Sequence, residues 1–172
     1  GRVLTATSQP VRNAFVEIWQ CDAKESYIHT KGRNAQLDAN FQGYGRYLTD
    51  STGNYLFRTI RPVSYTLAGQ FRAPHIHIAV SRNGRRIVTS QIAIRGHKDN
   101  AKDPVWNMLK AKDRDTVATD FAPMPGSRTG ELTAKFDLVL NRTASEGDDG
   151  VLRGGIGKST WKGMPQGNRP RQ

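Results

Sequence analysis

The stretch "HIHIAVSRNGRRIVTSQIAI", from residue 75 to residue 94, constrains the fold more than any other part of the chain. Two runs rich in β-branched residues flank the dipeptide Asn83-Gly84. Asn-Gly suits a two-residue type I′ turn, in which both central residues have positive φ. The sequence therefore predicts two adjacent antiparallel strands that are joined by a tight hairpin.

The first strand of this hairpin carries two histidines. Alternate side chains of a strand point to the same face, so His75 and His77 share one face while Ile76 and Ile78 share the other. Two interpretations fit this pattern. The strand is half-buried and happens to carry polar imidazoles, or the two histidines are ligands of a metal ion. The residues of this strand alone leave both interpretations open.

Strand-like runs dominate the rest of the chain. They include "AFVEIW", "NYLFRTI" and "LTAKFDLVL", which are rich in β-branched and aromatic residues and partly alternate. The segment after Pro104 predicts a short helix or an irregular loop. Helices do not alternate with strands, so a parallel α/β fold is not expected. The pattern predicts an all-β fold, an antiparallel β-sandwich with long loops around its functional site.

Composition restricts the possible partners. The 172 residues are expected to form one domain, with 26 lysines and arginines against 15 aspartates and glutamates, a formal net charge of +11. This excess favours an anionic partner or is simply a solvated basic surface. No nucleic-acid-binding motif accompanies it, so no nucleic-acid partner is expected. The single cysteine, Cys21, excludes an internal disulfide and is expected to pack as a small hydrophobe.

The two ends of the chain differ from its middle. The chain begins with Gly1, which indicates a processed form or a fragment, and it has no run long and apolar enough for a signal peptide or a membrane span. A soluble protein without a membrane partner is expected, while its compartment is undetermined. The composition predicts a folded domain over residues 1–142 and a flexible, disordered, basic tail rich in glycine and proline over residues 143–172.

One motif in this predicted tail resembles the end of a phosphate-binding loop. The letters "GGIGKST" match its last positions, but Leu152 stands where the motif requires its first glycine. No strand is predicted directly before it. We therefore expect no nucleotide site there.

Several linked segments resemble the intradiol ring-cleaving dioxygenases, and most closely the iron-bearing beta subunits of the protocatechuate enzymes. The segments are "PVRNAFVEIWQCD", "SYIHT", "DANFQGYGRYLTDSTGNYLFRTIRPVSY", "FRAPHIHI" and "TSQIAI", in the order and with the spacing of that family. The resemblance covers residues 1–141. It implies cleavage of a catecholic substrate by dioxygen, between the two hydroxyl-bearing carbons, at a mononuclear non-haem iron(III) site.

The resemblance also implies a role for individual residues. The metal ligands would be Tyr27 and His75 in equatorial positions and Tyr65 and His77 in axial positions, together with a hydroxide. Two tyrosinates and a hydroxide would neutralise iron(III) and so avoid a buried net charge. Tyr65 would also act as a base toward the catechol.

Three further residues match positions around the family's metal site. Arg72 matches the pocket arginine that would stabilise negative charge on the ring, and Gln91 matches a glutamine that sets the geometry of that arginine. Trp19 matches an aromatic residue beside the pocket. The product would be a cis,cis-muconate-type diacid. No further organic cofactor is implied, and a homo-oligomer is possible.

The chain departs from the family between Tyr65 and His75, where the segment is shorter and carries Thr66 and Leu67. This part of the family's pocket receives the ring substituent, so the preference for a protocatechuate-like substrate over catechol or hydroxyquinol is weakly specified. Two rival functions are kept. One is a non-catalytic β-sandwich binding module, and the other is a divalent-metal enzyme that uses His75 and His77 with His29 or His97.

Overall fold

The computed structural model describes residues 1–27, 37–67, 69–147 and 151–154, and in these ranges the chain is mostly strand with a few short helices. The strands are β1 (Val3–Leu4), β2 (Phe15–Trp19), β3 (Tyr44–Leu48), β4 (Tyr65–Leu67), β5 (Gln70–Arg72), β6 (His75–Arg82), β7 (Arg85–Ile94), β8 (Ala118–Thr119), β9 (Ala122–Pro123), β10 (Leu132–Thr133), β11 (Leu138–Val139), β12 (Ser145–Glu146) and β13 (Leu152–Arg153). A 3₁₀ helix spans Lys98–Lys102, α1 spans Pro104–Met108 and α2 spans Ala111–Arg114.

The largest sheet has five strands in the order β3-β2-β6-β7-β8. Its first four strands are antiparallel to their neighbours, and β8 joins β7 in parallel. The β6–β7 hairpin turns at Asn83 and Gly84, whose φ angles are +51° and +72°. Positive φ at both positions is what a type I′ turn requires, so the predicted hairpin is confirmed.

The hydrophobic core lies on one face of this sheet. Ile76, Ile78 and Val80 of β6 are buried in it. They pack in one cluster with residues of β2 and with Val3 and Leu138, which belong to the paired strands β1 and β11. Full burial of one such aliphatic side chain stabilises the fold by about 1.5–3 kcal/mol. Because side chains alternate along β6, burial of the isoleucines on the core face places the two histidines on the opposite face.

Three strand predictions need correction. Two pairings are parallel, β1 with β11 and β7 with β8, so the fold is not purely antiparallel. Residues 54–60 form no regular strand. Tyr55 in this range is nevertheless buried, and its hydroxyl donates to the carbonyl of Phe136 at 2.6 Å. Residues 132–140 hold two strands of two residues each rather than one. The arrangement of the strands as a sandwich stays a prediction.

The segment after Pro104 is helical for one turn. Asp103 caps α1, because its side chain accepts hydrogen bonds from the backbone N–H groups of Val105 and Trp106. Proline at the first helical position needs no hydrogen-bond acceptor for its nitrogen. This short helix therefore begins where two independent sequence signals coincide.

The described part of the segment that was predicted to be a tail packs against the domain. Thr143 and Ala144 are buried, and Leu152 packs in a second cluster with Leu109 and Val117. Strand β12 pairs with β13, so that Ser145 lies opposite Arg153 and Glu146 opposite Leu152. Packing of a few apolar side chains is sufficient to order a polar, glycine-rich segment, and composition alone does not reveal it. Residues 155–172, with nearly all of "GGIGKST", lie outside the described residues.

Within the described ranges, the helices are all too short and too polar to cross a lipid bilayer.

Candidate metal centre

The histidine face of β6 is the floor of the candidate centre. The sheet register places His77 opposite Trp19 of β2 on one side and opposite Gln91 of β7 on the other. The rings of Trp19 and His77 are stacked, with centroids 4.9 Å apart and planes inclined by 2°. The predicted common face of His75 and His77 is thus confirmed, and the two neighbouring strands bring Trp19 and Gln91 to it.

The two imidazoles face each other through their Nε2 atoms, which are 3.2 Å apart. The Nδ1 atom of His75 lies 2.7 Å from the carbonyl oxygen of Ala73. A carbonyl only accepts hydrogen bonds, so Nδ1 of His75 carries the proton and its Nε2 presents a lone pair. This is the tautomer in which histidine binds a metal through Nε2.

Tyr65 and Tyr27 approach the imidazoles from outside the large sheet. Tyr65 begins β4, which pairs with β5 so that Tyr65 lies opposite Arg72. Its hydroxyl is 3.4 Å from Nε2 of His75. The Tyr27 ring meets the Tyr65 ring edge-on at a centroid distance of 5.2 Å and the His77 ring at 6.2 Å. Both tyrosines are buried. These contacts bring the four predicted ligands into one cluster.

A buried aspartate holds the segment that carries Tyr27. One carboxylate oxygen of Asp22 accepts from the backbone N–H of Lys24 at 2.8 Å and of Ser26 at 2.9 Å, and the other accepts from Asp38 at 2.7 Å. Burial raises the pKa of Asp22, but these backbone hydrogen bonds outweigh burial and leave the pKa below its usual value. Asp22 thereby holds the backbone just before Tyr27 and the backbone at Asp38 to one carboxylate.

Arg72 and Gln91 are hydrogen-bonded to each other beside the cluster. The Nη2 atom of Arg72 donates to Oε1 of Gln91 at 2.8 Å. The Nε atom of Arg72 donates to the carboxylate of Asp103 at 3.2 Å. Asp103 also accepts from the backbone N–H of Ala73 at 2.8 Å. The predicted pairing of Arg72 with Gln91 is therefore present, and Asp103 fixes the other side of the guanidinium.

Glu146 is the acidic residue that the sequence reasoning missed. Its Oε1 accepts from Nε2 of Gln91 at 2.7 Å and lies 3.4 Å from Nδ1 of His77. Burial raises the pKa of Glu146, but the neighbouring His77, the hydrogen bond from Gln91 and the charge of Arg72 bring the pKa below its usual value. It is therefore a carboxylate at neutral pH. No sequence motif marks it, because it lies in the glycine-rich segment that was predicted to be a tail.

The protonation of the cluster without a metal follows from its burial. Burial, with the neighbouring Tyr65, raises the pKa of Tyr27 far above that of a free phenol. Burial also raises the pKa of Tyr65, although interaction with Tyr27 and the charge of Arg72 oppose this. The pKa of His75 is well below its usual value because of burial and the nearby His77 and Arg72. At neutral pH both phenols are protonated and His75 is neutral.

The donor atoms fit the iron(III) that the sequence resemblance implies. Two nitrogens bound at right angles to one ion, each at the ~2.1 Å typical of a metal–imidazole bond, would be about 3 Å apart. The observed 3.2 Å between the Nε2 atoms is close to that value. Phenolate oxygens are hard anionic ligands that suit a trivalent ion, and the Tyr65 hydroxyl lies 3.4 Å from Nε2 of His75 while the Tyr27 ring packs against Tyr65 and His77.

The rival divalent-metal site, built on His75 and His77 with His29 or His97, has less support. Over the described ranges, no three or more histidine, cysteine, aspartate and glutamate side chains come together as a metal site would require. His97 instead precedes the 3₁₀ helix, and its Nδ1 accepts from the backbone N–H of Asp99 at 3.3 Å. His29 lies outside the described residues. A ligand set on this face therefore needs the tyrosines.

Cys21 is buried next to the two tyrosines, as a small hydrophobe would be. Burial raises the pKa of its thiol to about 11, so the thiol is protonated at neutral pH and is a poor nucleophile.

A cavity of about 360 Å³ lies beside the cluster, between the ends of β2 and β3 and residues 57–60. Trp19 lines it, but none of the four predicted ligands does. The cavity therefore adjoins the candidate centre through the Trp19 ring and is a separate depression.

Comparison with known proteins identifies the family to which this chain belongs. A sequence model of the dioxygenase family matches residues 1–142, so the chain belongs to that family. The resemblance that the sequence motifs indicated is confirmed, and iron is the known cofactor of these enzymes.

Individual relatives show which enzymes of this family the chain is similar to. The chain is 36% identical over 146 residues to the protocatechuate 3,4-dioxygenase beta chain of Burkholderia cepacia, covering 81% of this chain and 62% of that one. It is 33% identical over 173 residues to catechol 1,2-dioxygenase 1 of Acinetobacter lwoffii, covering 88% and 53%. The solved structure of catechol 1,2-dioxygenase from Acinetobacter sp. ADP1 superposes with a TM-score of 0.65 at 26% identity, covering 88% of this chain and 52% of that one. The chain thus spans between about half and 62% of the length of these relatives.

Proposed function

We propose that this chain carries an intradiol dioxygenase site, which cleaves a catecholic aromatic with dioxygen at a mononuclear iron(III) to give a cis,cis-muconate-type diacid. The observation that carries the proposal is the cluster of two buried tyrosines and two histidines, in which the two imidazole Nε2 atoms are 3.2 Å apart and the Tyr65 hydroxyl lies 3.4 Å from one of them. Tyrosine is an uncommon ligand type, and a binding module would have no need to bury two phenols against two imidazoles.

In this proposal Tyr27, Tyr65, His75 and His77 hold the metal. When bound, iron(III) supplies a Lewis acid that ionises the phenols and the catechol and makes the ring reactive toward dioxygen. Two tyrosinates bring two negative charges into the buried site. With a catechol dianion in place of one tyrosinate and a hydroxide, the total charge of the site would be conserved and no buried charge would be left unbalanced.

Tyr65 is the residue that we assign as the base. Burial raises the pKa of its phenol, so a tyrosinate at this position would be a strong base toward the catechol. It takes one catechol proton at Oη and becomes the neutral phenol that its buried position favours. Tyr27 is the more deeply buried tyrosine and stays in place.

Arg72 and Gln91 supply the fixed electrostatics. The Arg72 guanidinium is held on one side by Asp103 and on the other by Gln91, so it does not have to reorganise when negative charge develops on the ring. Trp19 stacks on His77 and gives the centre an apolar neighbour. The aromatic ring of the substrate would lie against it.

A protocatechuate-like substrate is favoured, because the relatives named above include a protocatechuate enzyme and a basic chain attracts an anionic ring. Catechol and hydroxyquinol are the alternatives. Relatives named as alpha and beta chains of one enzyme favour an oligomeric assembly. We also propose that the large sheet and the strands that cover its core face form the β-sandwich.

The test is a visible absorption spectrum of the purified protein with its iron quantified, before and after anaerobic addition of protocatechuate, catechol or hydroxyquinol. We expect a broad tyrosinate-to-iron(III) band that moves to longer wavelength with the preferred substrate, followed by oxygen uptake and formation of the diacid when air is admitted. Protein that stays colourless after iron is supplied would overturn the proposal.

A matched pair of variants separates the rival functions. Tyr65→Phe should alter the colour and slow turnover, whereas Tyr47→Phe, on an exposed edge strand, should change neither. A divalent site built on the histidines alone predicts no effect of Tyr65→Phe. A binding module predicts no colour in any of the proteins.

A further inference from the structure

The carboxylate of Glu146 faces both a candidate ligand and a residue that sets the pocket arginine. We propose that Glu146 is a positioning residue, which holds the His77 imidazole with its Nε2 toward the metal and at the same time orients Gln91. This inference rests on the proposed function, because it assigns a role toward the metal of that same site.

The geometry gives Glu146 two contacts through one oxygen. Oε1 accepts from Nε2 of Gln91 at 2.7 Å and lies 3.4 Å from Nδ1 of His77. The second distance is longer than a good N–H···O hydrogen bond, so the contact with Nδ1 is chiefly electrostatic. The side chains of His77 and Glu146 are each only 14% exposed. Water therefore screens this contact weakly.

The ring of His77 needs such a partner. Nδ1 of His77 is buried and has no hydrogen bond of ordinary geometry among the described residues. Stacking on Trp19 fixes the plane of the imidazole but does not decide which ring nitrogen points toward His75. A carboxylate at the Nδ1 edge favours a proton on Nδ1, which leaves the lone pair on Nε2. It also increases the basicity of that Nε2 toward a metal.

Gln91 is oriented by the same oxygen. An amide side chain can present either its oxygen or its nitrogen to a neighbour. Because Glu146 only accepts hydrogen bonds, it takes the Nε2 of Gln91 and turns Oε1 toward Arg72, to which it is bonded at 2.8 Å. The result is a continuous chain of contacts from Arg72 through Gln91 and Glu146 to His77.

The backbone around Glu146 is itself held in place. Strand β12 pairs with β13, which places Glu146 opposite Leu152, a buried residue. The hydroxyl of Ser90, on β7, donates to the carbonyl of Ala144 at 2.6 Å. The carboxylate is therefore presented from an anchored segment next to β7, the strand that carries Gln91.

The test compares Glu146→Gln with the native chain. Each protein is loaded with iron(II) under argon and oxidised in air, and iron affinity is measured by competition with a chelator. Loss of a carboxylate that supports a ligating histidine typically weakens metal binding by about 10- to 100-fold, and we expect a loss in that range together with a shifted tyrosinate-to-iron band. Glu146→Asp, which keeps the charge, should recover part of the loss.

Glu131→Gln is the matched control. Glu131 pairs with Arg58 at 2.7 Å on the surface, where the two side chains are 42% and 87% exposed. The substitution Glu131→Gln removes one negative charge away from the site, so it should leave iron affinity unchanged. The melting temperature of each metal-free protein separates a packing role from a positioning role, since positioning requires weaker iron binding at an unchanged melting temperature.

Two outcomes would overturn the inference. The first is native iron affinity and an unshifted band in Glu146→Gln. The second is a lowered melting temperature in both Glu146 variants, with iron binding that falls only because less of the protein is folded. Failure of the native chain to bind iron at all would instead overturn the proposed function, and the two failures are distinguishable.

Discussion

Replacement of Asp103 by asparagine removes the charge of a side chain that contacts both helix α1 and the site residue Arg72. One oxygen of Asp103 caps α1 through Val105 and Trp106, and the other accepts from Ala73 and Arg72. Asparagine is as good a helix N-cap as aspartate, so the cap survives. The amide nitrogen of the asparagine, however, would take the place of the second carboxylate oxygen. It would face the N–H donors of Ala73 and Arg72 and could not accept from them.

The magnitude follows from the burial of the ion pair. The side chains of Arg72 and Asp103 are 12% and 5% exposed, so the guanidinium would become a buried charge with no counterion at this position. Breaking a buried pair by removal of one partner costs about 3–5 kcal/mol. The N–O separation of 3.2 Å is longer than an ideal charge-assisted bond, which places the expected loss at the lower end, about 3 kcal/mol. For a chain of this size that lowers the melting temperature by about 6–12 °C.

The assay is urea unfolding followed by tryptophan fluorescence, with Asp103→Ala as the comparison. Alanine removes the cap as well as the charge, so it should destabilise the fold by about a further 1 kcal/mol. The double variant Arg72→Met with Asp103→Asn leaves no uncompensated charge and should be more stable than Asp103→Asn alone. A free energy of unfolding for Asp103→Asn within about 1 kcal/mol of the native value would refute this account of the pair.

Three further predictions concern separate parts of the fold. Ile78→Ala should lower the free energy of unfolding by about 3 kcal/mol and leave the tyrosinate band unchanged, because Ile78 is fully buried on the face opposite the histidines; urea unfolding and the visible spectrum check both. Leu152→Ala should cost about 2 kcal/mol by the same unfolding assay, since Leu152 packs against Leu109 and Val117, whereas an unpacked tail would predict no change. The pKa of Asp22 is lower in the folded chain than in the unfolded chain, so its contribution is present above about pH 4 and is lost as the pH falls below that value. The urea midpoint of the native chain should therefore fall further between pH 7 and pH 3 than that of Asp22→Asn, and equal decreases would contradict the role of Asp22.

The hairpin that carries the histidines could be read from the sequence because its signals are local. Alternation along β6 separates His75 and His77 from the isoleucines, and Asn83-Gly84 fixes the turn within two residues. The partner strand β3 could not be read in this way. Its sequence "YGRYL" is exposed at four of five positions, so neither face gives an apolar period.

The rest of the site depends on contacts between residues that are distant in the sequence. Tyr27 and Tyr65 lie in segments without periodicity, and only the resemblance to a family identified them as ligands. Glu146 and Gln91 are 55 positions apart. Nothing in the segment around Glu146 distinguishes a buried carboxylate from a solvated one, because the distinction arises from the residues that pack over it.

The same device recurs wherever the chain must place a site residue without a strand to hold it. The segment that carries Tyr27 is tied by the buried carboxylate of Asp22, and the segment between Arg72 and His75 is tied by Asp103 through the N–H of Ala73. A carboxylate can accept several backbone N–H groups at once, which replaces the ladder hydrogen bonds that an irregular segment lacks. Strand β6 supplies both imidazoles, and the two carboxylates hold the segment that carries Tyr27 and the backbone between Arg72 and His75. Substitutions at these aspartates should therefore affect the geometry of the site and the stability of the fold together, whereas Ile78 on the core face affects stability alone.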